Sequence, residues 1–194
     1  SMVNRVFIAD FLAGWPGMGP ILDVGTGTAQ IPIAFCGQSP TADVVAIDLA
    51  EHMLVVARRN VAGAGLADRI RLEKVSGRAM PFADESFPAI MSNSIVHHIP
   101  EPTTVFAEMV RVATVGGYLF VRDLLRPASI EELRRLVDEH AAGANDHQRT
   151  MFADSLHAAL TVAEVVAIVR TWGFPPESVT QTSDRHWTFR AIKA

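Results

Sequence analysis

The chain has 194 residues, one cysteine and a formal net charge of −4. That length supports a single domain, residues 1–194, with a packed core, and the charge gives no support to nucleic acid as a partner. Cys36 alone cannot form an internal disulfide, no apolar run reaches the length of a membrane span, and the first residues are not a secretory signal. The expectation is a cytoplasmic protein with no membrane partner. Ser1 ahead of Met2 reads as the remnant of a cleaved tag.

Val3, Phe7, Ile8, Phe11 and Leu12 have helical spacing and predict a helix over 3–13, which the Gly- and Pro-rich run 14–20 breaks. A strand over 21–24 leads into a helix over 29–36, a turn over 37–42 and a second strand over 43–48. A helix over 51–62 stops at Gly63 and Gly65, and a third strand covers 70–75. The loop 76–87 precedes a fourth strand over 88–93 and a helix over 102–113. Gly116-Gly117 then leads into a fifth strand over 118–121. Helices follow over 130–142 and 161–172, and 177–181 with 186–191 form a closing strand pair. Their short connection leaves no room for a helical crossover, so the pair is expected to be antiparallel. Strand and helix alternate over the first 125 or so residues, which implies an α/β fold, a doubly wound, mostly parallel sheet. The segment 126–158 carries His140, His147, Arg149, Asp154 and His157 at no clean period. It reads as a lid or a dimer surface, and a homodimer is one expected assembly.

The chemistry concentrates in Ile21-Leu22-Asp23-Val24-Gly25-Thr26-Gly27-Thr28-Ala29, a buried strand, a glycine-bent loop and a helix start. About 20 residues on, Asp48 ends the apolar run Val44-Val45-Ala46-Ile47, the layout of a nucleotide-type cofactor site at the carboxyl edge of a parallel sheet. Glycines let the backbone approach a ligand, and a carboxylate is a natural acceptor for the two hydroxyls of a ribose.

These residues resemble the first motif of class I S-adenosylmethionine-dependent methyltransferases, and Ala46 to Leu54 is similar to their second. Met80-Pro81-Phe82-Ala83-Asp84-Glu85-Ser86-Phe87 resembles the segment before their fourth strand. Val96-His97-His98-Ile99 is similar to the ubiquinone and menaquinone biosynthesis group, and Arg111-Val112-Ala113, Gly116-Gly117 and Val121-Arg122-Asp123 match the stretch around strand five. The resemblance implies a Rossmann-like seven-stranded sheet in the order 3-2-1-4-5-7-6, strand seven antiparallel, and S-adenosylmethionine as cofactor, with S-adenosylhomocysteine as product. It implies that Gly25, Thr26 and Gly27 line the methionine part, that Asp23 anchors the loop, that Asp48 holds the ribose hydroxyls, and that Leu49 and Met53 flank adenine. Ala29 stands where many relatives have glycine, for which a slightly tighter fit is expected. Ser76 stands where relatives commonly carry an aspartate toward adenine, so the contact is expected to weaken by about 1 kcal/mol, with Gly77 and Arg78 offering backbone amides. Asn93, at the end of the fourth strand, is a cofactor or substrate contact. The Ser92-Asn93-Ser94 sequence lacks the Asn/Asp-Pro-Pro-Tyr pattern of enzymes that methylate nucleobase amines.

His97 or His98 is the candidate base, and since adjacent residues of a helix do not share a face, at most one is expected to enter the cleft. Arg122, Asp123, Arg126 and His157 are candidates for a polar substrate, with a solvated charge cluster as the other reading of the first three. Asp154 and Trp187 are weaker candidates. The scattered histidines predict no metal. The expected reaction is in-line methyl transfer to an O, N or C nucleophile of a small molecule. The alternatives are an NAD(P)-dependent oxidoreductase, which the absence of a third loop glycine disfavours, and a catalytically silent S-adenosylmethionine-binding module, suggested by the roughly twenty residues ahead of strand one.

Overall fold

The computed structural model describes residues 2–17 and 19–194, apart from the side chains of Met2 and Val3. The readings made at Ser1, at the Val3 side chain and at Met18 lie outside the described residues. In chain order the elements are α1 (Met2–Gly14), β1 (Ile21–Val24), α2 (Gln30–Gln38), β2 (Val44–Asp48), α3 (Glu51–Gly63), β3 (Ile70–Lys74) and β4 (Phe87–Asn93). A 3₁₀ turn (Val96–His98) leads to α4 (Pro102–Val112), β5 (Ala113–Leu124), α5 (Ile130–His140), α6 (Asp146–Ala158) and α7 (Val162–Arg170). A second 3₁₀ turn (Pro176–Ser178), β6 (Val179–Ser183) and β7 (His186–Ile192) complete the fold. The sheet order is β3-β2-β1-β4-β5-β7-β6. β1 pairs in parallel with β2 and β4, β2 with β3, and β6 with β7 antiparallel. The expected doubly wound sheet and its antiparallel closing pair are both present.

The chain forms two compact units. The first comprises residues 1–93, 103–121 and 190–194. All four residues of β1 are buried, as expected of a parallel strand covered on both faces. Helix α1 lays Phe7, Ile8 and Phe11 on one face, and Phe11 sits 5.5 Å from Phe35 and 5.8 Å from Phe120, ring centre to ring centre, edge to face. Arg69 ties down the loop after α2, donating to the carbonyls of Cys36 at 3.1 Å, Ser39 at 2.5 Å and Ala42 at 2.6 Å. Cys36 is buried there, its thiol 3.7 Å from the Ala42 carbonyl oxygen.

The second unit comprises residues 94–102 and 122–189. Helices α5 and α6 share a core of Leu136, Val137, Ala141 and Leu156, joined by Leu124 and Ala159. Their starts are capped: Ser129 accepts from the Glu132 amide, and Asn145 and Gln148 make a reciprocal capping box. Thr161 and Glu164 make the same box at α7.

Two elements differ from the sequence reading. Helix α6 appears where no period predicted one, held by its cap and by Leu156. Strand β5 begins at Ala113 and runs through Gly116-Gly117 rather than starting after them. Gly116 donates to the Lys193 carbonyl at 2.7 Å, Lys193 returns a bond to Gly117 at 2.9 Å, and a φ of +75° at Gly116 lets the strand bend without ending.

The aromatic cluster around α1 yields a stability prediction. Phe11→Ala removes a fully buried ring that four aromatic side chains contact, and is expected to lower unfolding free energy by about 3–5 kcal/mol in urea titration. A loss below about 1 kcal/mol contradicts this packing.

Candidate functional site

In the first unit, the loop after β1 turns its amides inward. The Gly25 and Thr26 N–H groups both donate to the Ile47 carbonyl at 2.9 Å, and the Gly27 N–H donates to Asp48 Oδ2 at 2.8 Å. Asp48 Oδ1 accepts from the Ala50 N–H at 2.9 Å, which sets the entry to α3. Three consecutive loop amides are therefore committed to β2. A phosphate-binding glycine loop does the opposite, aiming its amides at the ligand. Each Asp48 oxygen keeps a further lone pair for a vicinal diol. A Cβ built on Gly27 would meet nothing within 4 Å, so the chain lies open at the point where Asp48 holds it. Ala29 adopts φ 61°, ψ 26°, the left-handed conformation that suits glycine, and its methyl is fully buried.

Three acceptor atoms in this unit, Asp23 Oδ2, Thr26 Oγ1 and Asn93 Oδ1, are buried without a hydrogen-bond partner among the described residues. Asp23 is 2% exposed. Burial pushes its carboxyl up to about 7; Thr26 lowers it and the Asp48 carboxylate raises it further. Ser92 is spent within the sheet, donating to the Val24 carbonyl at 2.8 Å. Two carboxylates and orphaned oxygens, with the loop amides turned away, make a set that accepts hydrogen bonds from a cation or hydroxyls and repels a pyrophosphate. The ammonium and ribose hydroxyls of S-adenosylmethionine fit this set.

Leu49, 60% exposed, and Met53 extend from the Asp48 corner as exposed apolar side chains. Ser76 makes a tight local turn in which its Oγ accepts from the Arg78 amide at 3.2 Å. That amide is thereby committed within the turn. Gly77 is required by close packing, since a Cβ there would stand 3.1 Å from Val24 and 3.2 Å from Val105. Arg111 holds the neighbouring Pro81-Phe82 step, donating to the carbonyls of Met80 at 3.0 Å and Phe82 at 2.8 Å.

In the second unit a buried polar cluster replaces the solvated charges that were one reading of strand five. Arg122 is 4% and Asp123 1% exposed. Asp123 accepts three bonds: from the Val96 amide at 2.5 Å, the Leu124 amide at 2.6 Å and His97 Nδ1 at 2.5 Å. The His97 side chain is 5% exposed. His98 packs against it, ring centres 3.9 Å apart and tilted 44°. The two adjacent rings thus meet on the 3₁₀ turn Val96–His98. Burial lowers the His98 pKa and His97 lowers it further, while Asp123 raises it. Ser94, just before the turn, has φ 59°.

The cluster also contains His186, which the sequence reading did not mark. Its Nδ1 lies 2.8 Å from Ser183 Oγ, and burial, then Arg122 and Arg185, depress it to about 4, so it is neutral at pH 7. The available signal was a charged pair, Arg122-Asp123, inside the apolar run Tyr118 to Leu125. Arg126 is engaged elsewhere, with Glu164 at 2.7 Å and the Ala159 carbonyl at 2.8 Å. His157 and Asp154 lie exposed on α6. Glu139, His140 and Asp184 come near enough to share a cation, but Arg185 Nη1 stands 3.0 Å from His140 Nε2 and 2.8 Å from Asp184 Oδ1, supplying positive charge already. A shallow groove between α5 and α6, lined by Leu133, Val137, Arg149 and Ala153, contains none of the candidate residues.

The ubiquinone/menaquinone biosynthesis C-methyltransferase UbiE of Geobacter sulfurreducens is 30% identical over 116 residues, 59% of this chain and 45% of that protein. The demethylmenaquinone methyltransferase of Renibacterium salmoninarum is 35% identical over 127 residues, 63% of this chain and 48% of that protein. The chain thus spans less than half the length of either relative. In fold it is similar to an S-adenosylmethionine-dependent methyltransferase from Aquifex aeolicus, with a TM-score of 0.71 and 20% identity, covering 98% of this chain and 89% of that one. Residues 22–121, more than half of the chain, match the family described as methyltransferase domain. The chain belongs to that methyltransferase family.

Proposed function

We propose that this chain binds S-adenosylmethionine and transfers its methyl group to a small-molecule acceptor, residues 1–194 working as a single methyltransferase domain. The observation that carries this reading is the inward commitment of the Gly25, Thr26 and Gly27 amides beside two carboxylates, Asp23 and Asp48. That arrangement suits a cationic, hydroxyl-bearing ligand and disfavours the pyrophosphate of a nicotinamide dinucleotide. Relatives named for quinone biosynthesis support a small-molecule acceptor. No helix among the described residues is long and apolar enough to cross a membrane, and the lone Cys36 suits a reducing compartment, so we place the protein in the cytoplasm.

When bound, the cofactor supplies a methyl carbon on a sulfonium, whose leaving group is a neutral thioether. The protein's own part is alignment and exclusion of water. Asp48 clasps the diol, while Asp23, Thr26 and Asn93 accept from the amino-acid end. Leu49 and Met53 cover the base, and Ser76 and Gly77 border it. His97 and His98 stand as the groups for the acceptor's proton.

Two measurements follow. Asp48→Ala is expected to weaken S-adenosylhomocysteine binding about 100-fold by calorimetry, the loss of two charge-assisted hydrogen bonds; an unchanged Kd contradicts the assignment. The second concerns pH. With the Asp23 carboxyl raised from 3.8 to about 7, apo stability falls as pH rises between those values, because folding disfavours the charged form. A cationic ligand favours that same charged form. Affinity is therefore expected to be full above pH 7 and to fall up to about tenfold per unit below it. Asp23→Asn should flatten that profile, and an equally steep profile in the variant contradicts the role of Asp23.

A further inference from the structure

Resting on that reading, we infer that the first unit's site recognises the amino-acid end of its ligand through the ammonium and not the carboxylate, with Asp23 as the residue that sets this preference. The ligand class it takes is then a 5′-thioadenosine with an aminoalkyl chain, whether or not that chain carries a carboxylate. An imbalance of acceptors over donors around the loop after β1 carries this.

The acceptors are buried and unmet. Asp23 Oδ2, Thr26 Oγ1 and Asn93 Oδ1 have no hydrogen-bond partner among the described residues, and Asp23 is 2% exposed. The parallel register sets Asp23 opposite Met91, so Asn93, two residues further along β4, projects from the same face of the sheet as Asp23. The charged group that acts on the Asp23 carboxyl is another carboxylate, Asp48, and no Lys or Arg acts on it. Thr26 is near enough to bond to Asp23. A buried oxygen without a donor is costly, and an ammonium brings three N–H groups and a full charge to satisfy several at once.

The donors are committed. The Gly25 and Thr26 amides serve the Ile47 carbonyl, the Gly27 and Ala50 amides serve Asp48, and the Ala29 amide serves the Thr26 carbonyl at 3.0 Å. The amino end of α2 is a poor substitute. Pro32 has no N–H and Ile33 donates to the Ala29 carbonyl at 3.1 Å, which leaves the amides of Gln30 and Ile31. A helix start carries roughly half a positive charge, against the full negative charge of Asp48 and of Asp23 once ionised. A carboxylate on the ligand therefore gains little here and is best left in water, whereas the ammonium is held.

The test uses the unmodified chain and calorimetry with four thioethers of adenosine that share the base, the diol and the sulfur. They are S-adenosylhomocysteine, its decarboxylated form, which keeps the amine, its deaminated form, which keeps the carboxylate, and 5′-methylthioadenosine, which has neither. At about pH 8, where Asp23 is ionised, the amine is expected to bind within about threefold of S-adenosylhomocysteine or more tightly. The carboxylate is expected to bind at least about 30-fold more weakly than the amine, the loss of hydrogen bonds to a charged acceptor. A loss above threefold for the amine, or a gap below 30-fold, overturns the inference and assigns the carboxylate to the α2 amides.

Two further readings isolate Asp23. On the unmodified chain the amine-to-carboxylate preference should shrink as pH falls through about 7, because neither ligand titrates there and Asp23 does; a flat preference removes Asp23 from the role. Asp23→Asn should reduce the preference at least about tenfold while leaving 5′-methylthioadenosine within about threefold, since that ligand has no charge to read. An unchanged preference in the variant contradicts the role of Asp23. Failure of all four thioethers to bind sinks the methyltransferase reading itself, whereas binding in the wrong order sinks only this inference.

Discussion

The carboxylate of Asp48 is the point on which the first unit's site depends. It ends β2, accepts the Gly27 amide across 21 residues of chain, and accepts the Ala50 amide at the start of α3. A loop with two left-handed glycines and a left-handed alanine has few side-chain contacts to hold it. The Ile47 carbonyl and Asp48 supply the fixed points, with Asn60 bonded to the Thr28 carbonyl at 2.9 Å on the far side. One acidic group thus shapes the cradle and presents lone pairs to whatever enters it. The polarity of the site follows: with its amides turned inward, the loop offers oxygen rather than N–H, and so selects against anions.

The same economy recurs in the second unit, where Asp123, buried near the end of β5, organises the turn that carries His97 and His98. Two of the three non-glycine residues with positive φ among those described, Ala29 and Ser94, sit just beyond β1 and β4. Each costs about 1–3 kcal/mol and persists only where surrounding bonds over-determine it.

Much of this was legible in the sequence, for local reasons. The run Ile21 to Val24 is buried on both sides, so an apolar strand followed by Gly-Thr-Gly could be bounded to the residue. Asp48 was legible because an acid ends an apolar strand a fixed distance from the glycines. Helix α6 was missed because its apolar residues have no clean period, although the Asn145 to Gln148 cap is written in the sequence. The start of β5 was missed because Gly116-Gly117 reads as a turn, and only the bonds to Lys193 make it strand. The partnership of Asp123 with His97 was not legible, since a contact across 26 residues leaves no local pattern; Asp123 read instead as a substrate group.

The claim at the centre is that one carboxylate grips a sugar diol at a site otherwise suited to a cation. Calorimetry comparing S-adenosylhomocysteine with its 2′,3′-dideoxy analogue tests it without altering the protein. The account predicts that removing both hydroxyls weakens binding about 100-fold, as two hydrogen bonds to a charged acceptor require. Equal affinity for the two ligands would contradict it.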